Sequence, residues 1–188
     1  MSLYQQLQAH AQNRPDKTAI EFDCGELSFS QLHVLTDHCV EYFHSAGLKA
    51  GDRVAILALN HPDWFIALFA AAKSGIVLVP MNWRLSVEEL AFVVCDSTPK
   101  LLLHDEEFTH TAISLKAQLS ETDSADIALD EFGSDNFPHQ PNPGSEKQAS
   151  YISDDTDPLL LVYTSGTTGR PKGAVLSEMA LFLSLIHI

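Results

Sequence analysis

The chain has 188 residues, enough to bury one real core and short for a multi-domain enzyme. Its hydrophobic fraction of 45% is ordinary for a globular chain, no apolar run approaches the roughly 18 to 20 residues that span a bilayer, and "MSLYQQLQAH" has neither a basic n-region nor an apolar h-region, so the expected compartment is the cytosol. A net charge of -14 argues against nucleic acid or an anionic membrane surface as partner, and three scattered cysteines (Cys24, Cys39, Cys95) without C-x-x-C spacing argue against a disulfide framework or a zinc site.

Leu3, Leu7 and Ala11 recur at helical spacing behind Ser2, a natural N-cap, so the chain opens on a short helix. Two short strands follow, Thr18 to Phe22 and Leu27 to Phe29, hinged at Asp23-Cys24-Gly25. Leu32, Leu35, Cys39, Val40 and Phe43 then mark a helix from Gln31 to Ala46, stopped by Gly47; His33, His38 and His44 on it read as a polar face, since no H-x-x-x-H pair exists.

The apolar run Val54 to Leu59 suits a strand covered on both faces. "HPDWFIALFAAAKSG" reads as a helix with Pro62 at its first turn and Gly75 at its end, and "IVLVP" as the next strand. The strand-helix-strand unit repeats at once: Ser86-Val87-Glu88-Glu89 is a capping box opening another helix, and "KLLLH" is another strand. The expected fold class is α/β, a largely parallel sheet with flanking helices. From 119 to 157 the signal fades. Ten carboxylates face a single lysine, Lys147, between Ser120 and Asp157, which reads as an acidic surface connection with little regular structure.

"LLLVYTSGTTGRPKGAV", Leu159 to Val175, carries the chemistry. Strand, loop and strand over 159–176 would form a β-hairpin, yet a hairpin needs only one or two glycines. Here the loop holds four hydroxyls (Thr164, Ser165, Thr167, Thr168), three glycines (Gly166, Gly169, Gly173) and two cations (Arg170, Lys172), with no carboxylate from Tyr163 to Ser177. Glycines let backbone N–H groups approach an oxyanion, hydroxyls donate further bonds, and cations neutralise charge, so the composition suits a polyphosphate. Walker A spacing fails, because Pro171 stands where its second glycine belongs and Gly173 follows Lys172; G-x-G-x-x-G fails as well.

"YTSGTTGRPKGAV" closely resembles the phosphate loop of the AMP-forming acyl-adenylating enzymes, a family of acyl-CoA synthetases, luciferase-like ligases and peptide-synthetase adenylation domains. "NRPDKTAI", "LSFSQL", "GLKAGDRVAIL", "NHPDWFIALFAAAKSGIVLVPMNWRLSVEEL" and "DSTPKLLL" resemble the same family's N-terminal half in order, so the resemblance covers nearly all of 10–104 and 157–183. It implies attack of a carboxylic acid on the α-phosphate of ATP, with Mg²⁺ bridging phosphates, to give acyl-AMP and pyrophosphate; a thiol, usually of coenzyme A, then takes the acyl group. It places Lys172 on the departing pyrophosphate as the catalytic cation. Thr164, Ser165, Thr167 and Thr168 become hydroxyl donors to phosphate or to the loop itself, Gly166, Gly169 and Gly173 backbone positions, Pro171 a stiff exit, and Arg170 either a contact or a surface residue. Trp64 and Arg84 read as structural, and no metal ligand is assigned.

The same resemblance implies an N-terminal portion of a carboxylic acid–CoA ligase of the fatty-acyl branch, with the family's later motifs missing and the fragment inactive alone. Glu178 stands where many members have histidine, and some fatty-acyl members carry a polar substitute there. "LSLIHI" resembles translated adapter read-through, so truncation is expected near Leu183, with 184–188 a non-native tail. A domain that loads a carrier protein, and a non-catalytic nucleotide-binding module, remain the alternative readings.

Overall fold

The computed structural model describes residues 2–23, 25–131, 151, 154, 156–164 and 171–186. Helix α1 (Leu3–Asn13) begins with a full capping box, the Ser2 hydroxyl accepting from Gln5 N–H while the Gln5 side chain accepts from Ser2 N–H. Strands β1 (Thr18–Phe22) and β2 (Gly25–Ser28) form a separate antiparallel pair. Helix α2 (Phe29–Ser45) starts two residues earlier than its apolar periodicity suggests, because Ser28 and Gln31 build a second capping box and take Phe29 out of the strand. His33 belongs to a contact rather than a solvated face: it stacks on Tyr4 at 5.6 Å, tying α2 to α1.

The main sheet has six strands in the order β6-β5-β3-β4-β7-β8. Its centre is β3 (Arg53–Leu57), flanked in parallel by β4 (Val77–Pro80) and β5 (Leu101–His104). β3 ends at Leu57, short of the apolar run, because the next turn belongs to Asp105, whose carboxylate accepts from Leu59 N–H at 2.6 Å. Helix α3 (Asp63–Ser74) carries the chain from β3 to β4, and Gly75 stops it at φ 70 in the left-handed region. Helix α4 (Val87–Ser97) carries it from β4 across β3 to β5. These two steps run opposite ways along the sheet, so crossovers of one hand put α3 and α4 on opposite faces.

Two cores result. Val54, Ile56, Leu78, Leu101 and Leu103 face Leu7 of α1, Phe43 of α2 and Ile66 of α3; Ala55, Leu57, Val79 and Leu102 face Leu90 and Val94 of α4 and Leu115 of α5 (Thr109–Gln118). Alternate residues of one strand thus serve different cores, which is why β3 and β5 read as unbroken apolar runs. Burying each of the larger of these side chains contributes about 1.5–3 kcal/mol.

The stretch expected to have little regular structure departs from that expectation at Ala128–Glu131. These residues form β6, parallel to β5, with Ile127 buried just before it and the Tyr42 hydroxyl donating to Asp130 at 2.5 Å. Three apolar residues among acids sufficed because the edge of β5 supplied the backbone partners. Residues 132–150 of that stretch lie outside the described residues. The last elements are β7 (Pro158–Thr164), β8 (Lys172–Ser177) and α6 (Glu178–Ile186).

Candidate functional site

β7 joins the parallel sheet through one register pair, Leu78 opposite Leu160, and pairs antiparallel with β8 along its length. The strand-loop-strand expectation is met: Tyr163 stands opposite Gly173, and Thr164 opposite Lys172 closes the hairpin. Both closing side chains are exposed, Pro171 is half-buried, and no ion pair among the described residues engages Lys172. Ser165, Gly166, Thr167, Thr168, Gly169 and Arg170 lie outside the described residues.

β3, β4, β5, β6 and β7 run in one direction, so Leu57, Pro80, His104, Glu131 and Thr164 end at one edge of the sheet. Ligands of open α/β sheets gather at such carboxyl edges. Two further polar groups sit there. His61 Nδ1 lies 3.2 Å from buried Asp63, and burial raises the Asp105 carboxyl above its ordinary value. Beyond β4, Arg84 packs over the Trp83 ring at 4.2 Å, and the Trp64 indole donates to Leu59 O at 3.1 Å, so Arg84 and Trp64 have structural partners.

Gly173 has a packing reason for being glycine. A Cβ there would stand 2.9 Å from Leu161 Cδ1 and 3.2 Å from Tyr163 Cζ, so the Tyr163 ring occupies the space the missing side chain leaves. The Tyr163 hydroxyl donates to Asp96 Oδ2 in the last turn of α4 at 2.5 Å; burial, then this bond, push the Tyr163 hydroxyl pKa up and keep it protonated. Neither Tyr163 nor Asp96 stood out in the sequence. The hairpin register alone, which puts a large aromatic across from a glycine, was the available signal.

Glu178, the histidine replacement, is 6% exposed, and its carboxylate accepts from Leu3 N–H at 2.7 Å. It begins α6 and also satisfies the first turn of α1, a favourable place for an anion. Its residue type therefore answers to helix docking. Cys39 is buried and Cys95 exposed, both as free thiols. Among the described residues no group of three or more His, Cys, Asp or Glu is placed to hold a metal ion, and no helix is long and apolar enough to cross a membrane.

The sequence profile of the AMP-binding enzyme family matches residues 7–187. The chain belongs to this family. Among curated AMP-binding relatives, a fatty acid–[acyl-carrier-protein] ligase, ScoC of Streptomyces coeruleorubidus, is 36% identical over 96% of this chain and 34% of its own length. An indoleacetate–CoA ligase of Aromatoleum aromaticum is 32% identical over 100% of this chain and 37% of its own. The chain thus spans about a third of the length of these relatives. The N-terminal domain of FACL13 from Mycobacterium tuberculosis superposes with a TM-score of 0.79 at 26% identity, over 94% of this chain and 44% of that one. The α/β architecture read from the sequence is that of this family.

Proposed function

We propose that these residues are the N-terminal part of an ATP-dependent carboxylic acid–CoA ligase, and that the β7–β8 hairpin holds the nucleotide's β- and γ-phosphates. The observation that carries the reading is the closing rung of that hairpin in a chain of the AMP-binding family: an exposed lysine and an exposed hydroxyl face each other beside a glycine-rich loop free of carboxylates. The donor set fits a polyphosphate. Lys172 supplies a point charge, Thr164 with Ser165, Thr167 and Thr168 supplies hydroxyls, and the glycine-rich composition of the loop suits backbone N–H donation to an oxyanion.

In this reading Lys172 neutralises charge that builds on pyrophosphate as it leaves, an interaction stronger in the transition state than in the ground state. Pro171, with its fixed φ, limits the arc over which Lys172 swings. Mg²⁺ would enter with the nucleotide and, together with Lys172, would offset phosphate charge. The second substrate is a fatty or other medium-to-large carboxylic acid, and coenzyme A accepts the acyl group.

A second reading, transfer to a carrier protein, is favoured by the 36% identity to an acyl-carrier-protein ligase. Spanning about a third of its relatives' length, the 188-residue chain is proposed to be inactive alone. ATP–pyrophosphate exchange by the intact reading frame, against a panel of carboxylic acids, tests the assignment. Exchange with one acid class supports adenylation and names the substrate, and release of AMP on adding coenzyme A or a carrier protein separates the two acceptors. Absence of exchange with every acid in a folded protein removes the adenylation reading.

A further inference from the structure

β8 is poorly equipped to fix its own register. It reads Lys-Gly-Ala-Val-Leu-Ser, its first four residues are exposed, and two of its first three side chains are no larger than a methyl group. Register is weakly specified where a strand has no buried face, and a slip of one residue turns every side chain to the opposite side. β8 is the edge strand, so the parallel sheet reaches it only through β7, which the Leu78–Leu160 pair and buried Leu159 anchor near the end far from the loop. Lys172 nevertheless has to stand on one side of the loop and at one height. A restraint is therefore needed at the last two rungs.

The structure supplies one there. The Tyr163 ring fills the notch over Gly173, one rung before the Thr164–Lys172 pair, and its hydroxyl is held by Asp96 of α4. We propose that Tyr163 and Asp96 form a clasp that positions Lys172 and Thr164 for phosphate by locking the register of the hairpin to α4. Both are positioning residues and touch no phosphate themselves. Two other tyrosine–aspartate bonds, Tyr42–Asp130 and Tyr151–Asp157, have the same 2.5 Å length but fasten α2 to β6 and the approach to β7. The Tyr163–Asp96 bond is the one set next to the loop. The proposal rests on the phosphate role given above, which the following test separates from the clasp itself.

The intact reading frame is prepared as wild type, Tyr163→Phe, Asp96→Leu and the double variant, with Tyr42→Phe as a distant control. Each single hairpin variant keeps the bulk of its side chain and loses the hydrogen bond. The MgATP KM in pyrophosphate exchange is expected to rise about three- to tenfold in both single variants, the scale of one lost hydrogen bond. kcat should change less, and the double variant should be no worse than either single one. Tyr42→Phe should leave KM unchanged. Amide hydrogen exchange supplies an arm independent of activity: the amides of Val162–Thr164 and Lys172–Ala174 should exchange faster in the hairpin variants, while those of β1 and β2 do not.

Unchanged hairpin exchange rates would overturn the clasp. Faster exchange with unaltered KM would overturn its link to phosphate. A uniform rise across all strands, with lowered kcat at constant KM, would mark a loss of general stability and equally sink the proposal. A wild-type protein inactive with every acid would remove the adenylation reading, while the amide exchange still decides whether Tyr163 and Asp96 hold the hairpin.

Discussion

β3 and β8 belong to one sheet and are built on opposite principles. Val54, Ala55, Ile56 and Leu57 of β3 are all 0% exposed, paired on both edges and covered on both faces, whereas β8 is mostly exposed, with Val175 62% accessible. In β3 nearly every atom contributes to burial, and the strand holds its place through many small contacts. In β8 the first four residues are exposed and bury little that would hold the strand. Its position comes from the ladder with β7 on one edge and a few specific ties: Gly173 under Tyr163, Tyr163 on Asp96 and Glu178 on Leu3. An edge strand with little buried surface is held from outside itself.

The sharpest way to break the contrast is to hollow the buried side. Leu78→Ala, at a 0% exposed position that also bears the rung to β7, should cost about 2–5 kcal/mol in urea unfolding and loosen the hairpin as well. Lys172→Ala should do the reverse, leaving the unfolding midpoint unchanged while adenylation slows about tenfold, near 1.4 kcal/mol in the barrier. Unaltered pyrophosphate release in that variant would contradict the phosphate role.

Gly173→Ala combines the two kinds of effect. Leu161 and Tyr163 must shift to admit the methyl, so a loss of about 1 kcal/mol should accompany faster amide exchange at Tyr163 and Thr164. Ser86→Ala, which removes the cap of α4 on the body side, should cost about 1 kcal/mol without touching exchange in the hairpin.

The smallest effect is electrostatic. Burial raises the Asp52 carboxyl, but hydrogen bonds from Lys100 and the Lys49 amide outweigh it and bring it below the ordinary carboxylate value. A depressed folded pKa stabilises above the unfolded pKa of about 3.9 and loses that contribution as pH falls through the folded one. Lys100→Met should therefore lower stability by well under about 1 kcal/mol at pH 7, and the difference should shrink by pH 3 in paired urea titrations.

Elements with strong periodicity or caps could be read directly: Ser2 and Ser86 open helices as their sequences indicate, and Gly75 closes one. The hairpin strands and α/β class were equally legible. Ser28 was not recognised as a cap because Leu27-Ser-Phe29 alternates like a strand until Gln31 is seen to complete the box. α5 was missed because only Ala112 and Leu115 of its ten residues are buried, too few to mark a stripe. β6 was hidden because its stability comes from an edge 27 residues earlier, Leu101 opposite Ala128. In the site, the pairing of Thr164 with Lys172 fits the hairpin that the loop's composition suggested. Its supports could not be read, since Asp96 and Tyr163 are 67 residues apart and meet only in the folded chain.

The bond between Leu3 and Glu178 spans 175 positions, and on the ribosome that separation becomes a delay. At roughly 5–20 residues per second, roughly 10–35 s separate the synthesis of α1 from that of the carboxylate that completes its first turn. During that interval the helix has only Ser2 and its contacts with α2 and α3 to hold it. Helix α1 is thus fastened late, and the nascent chain carries it loosely docked until β8 and the start of α6 have been translated.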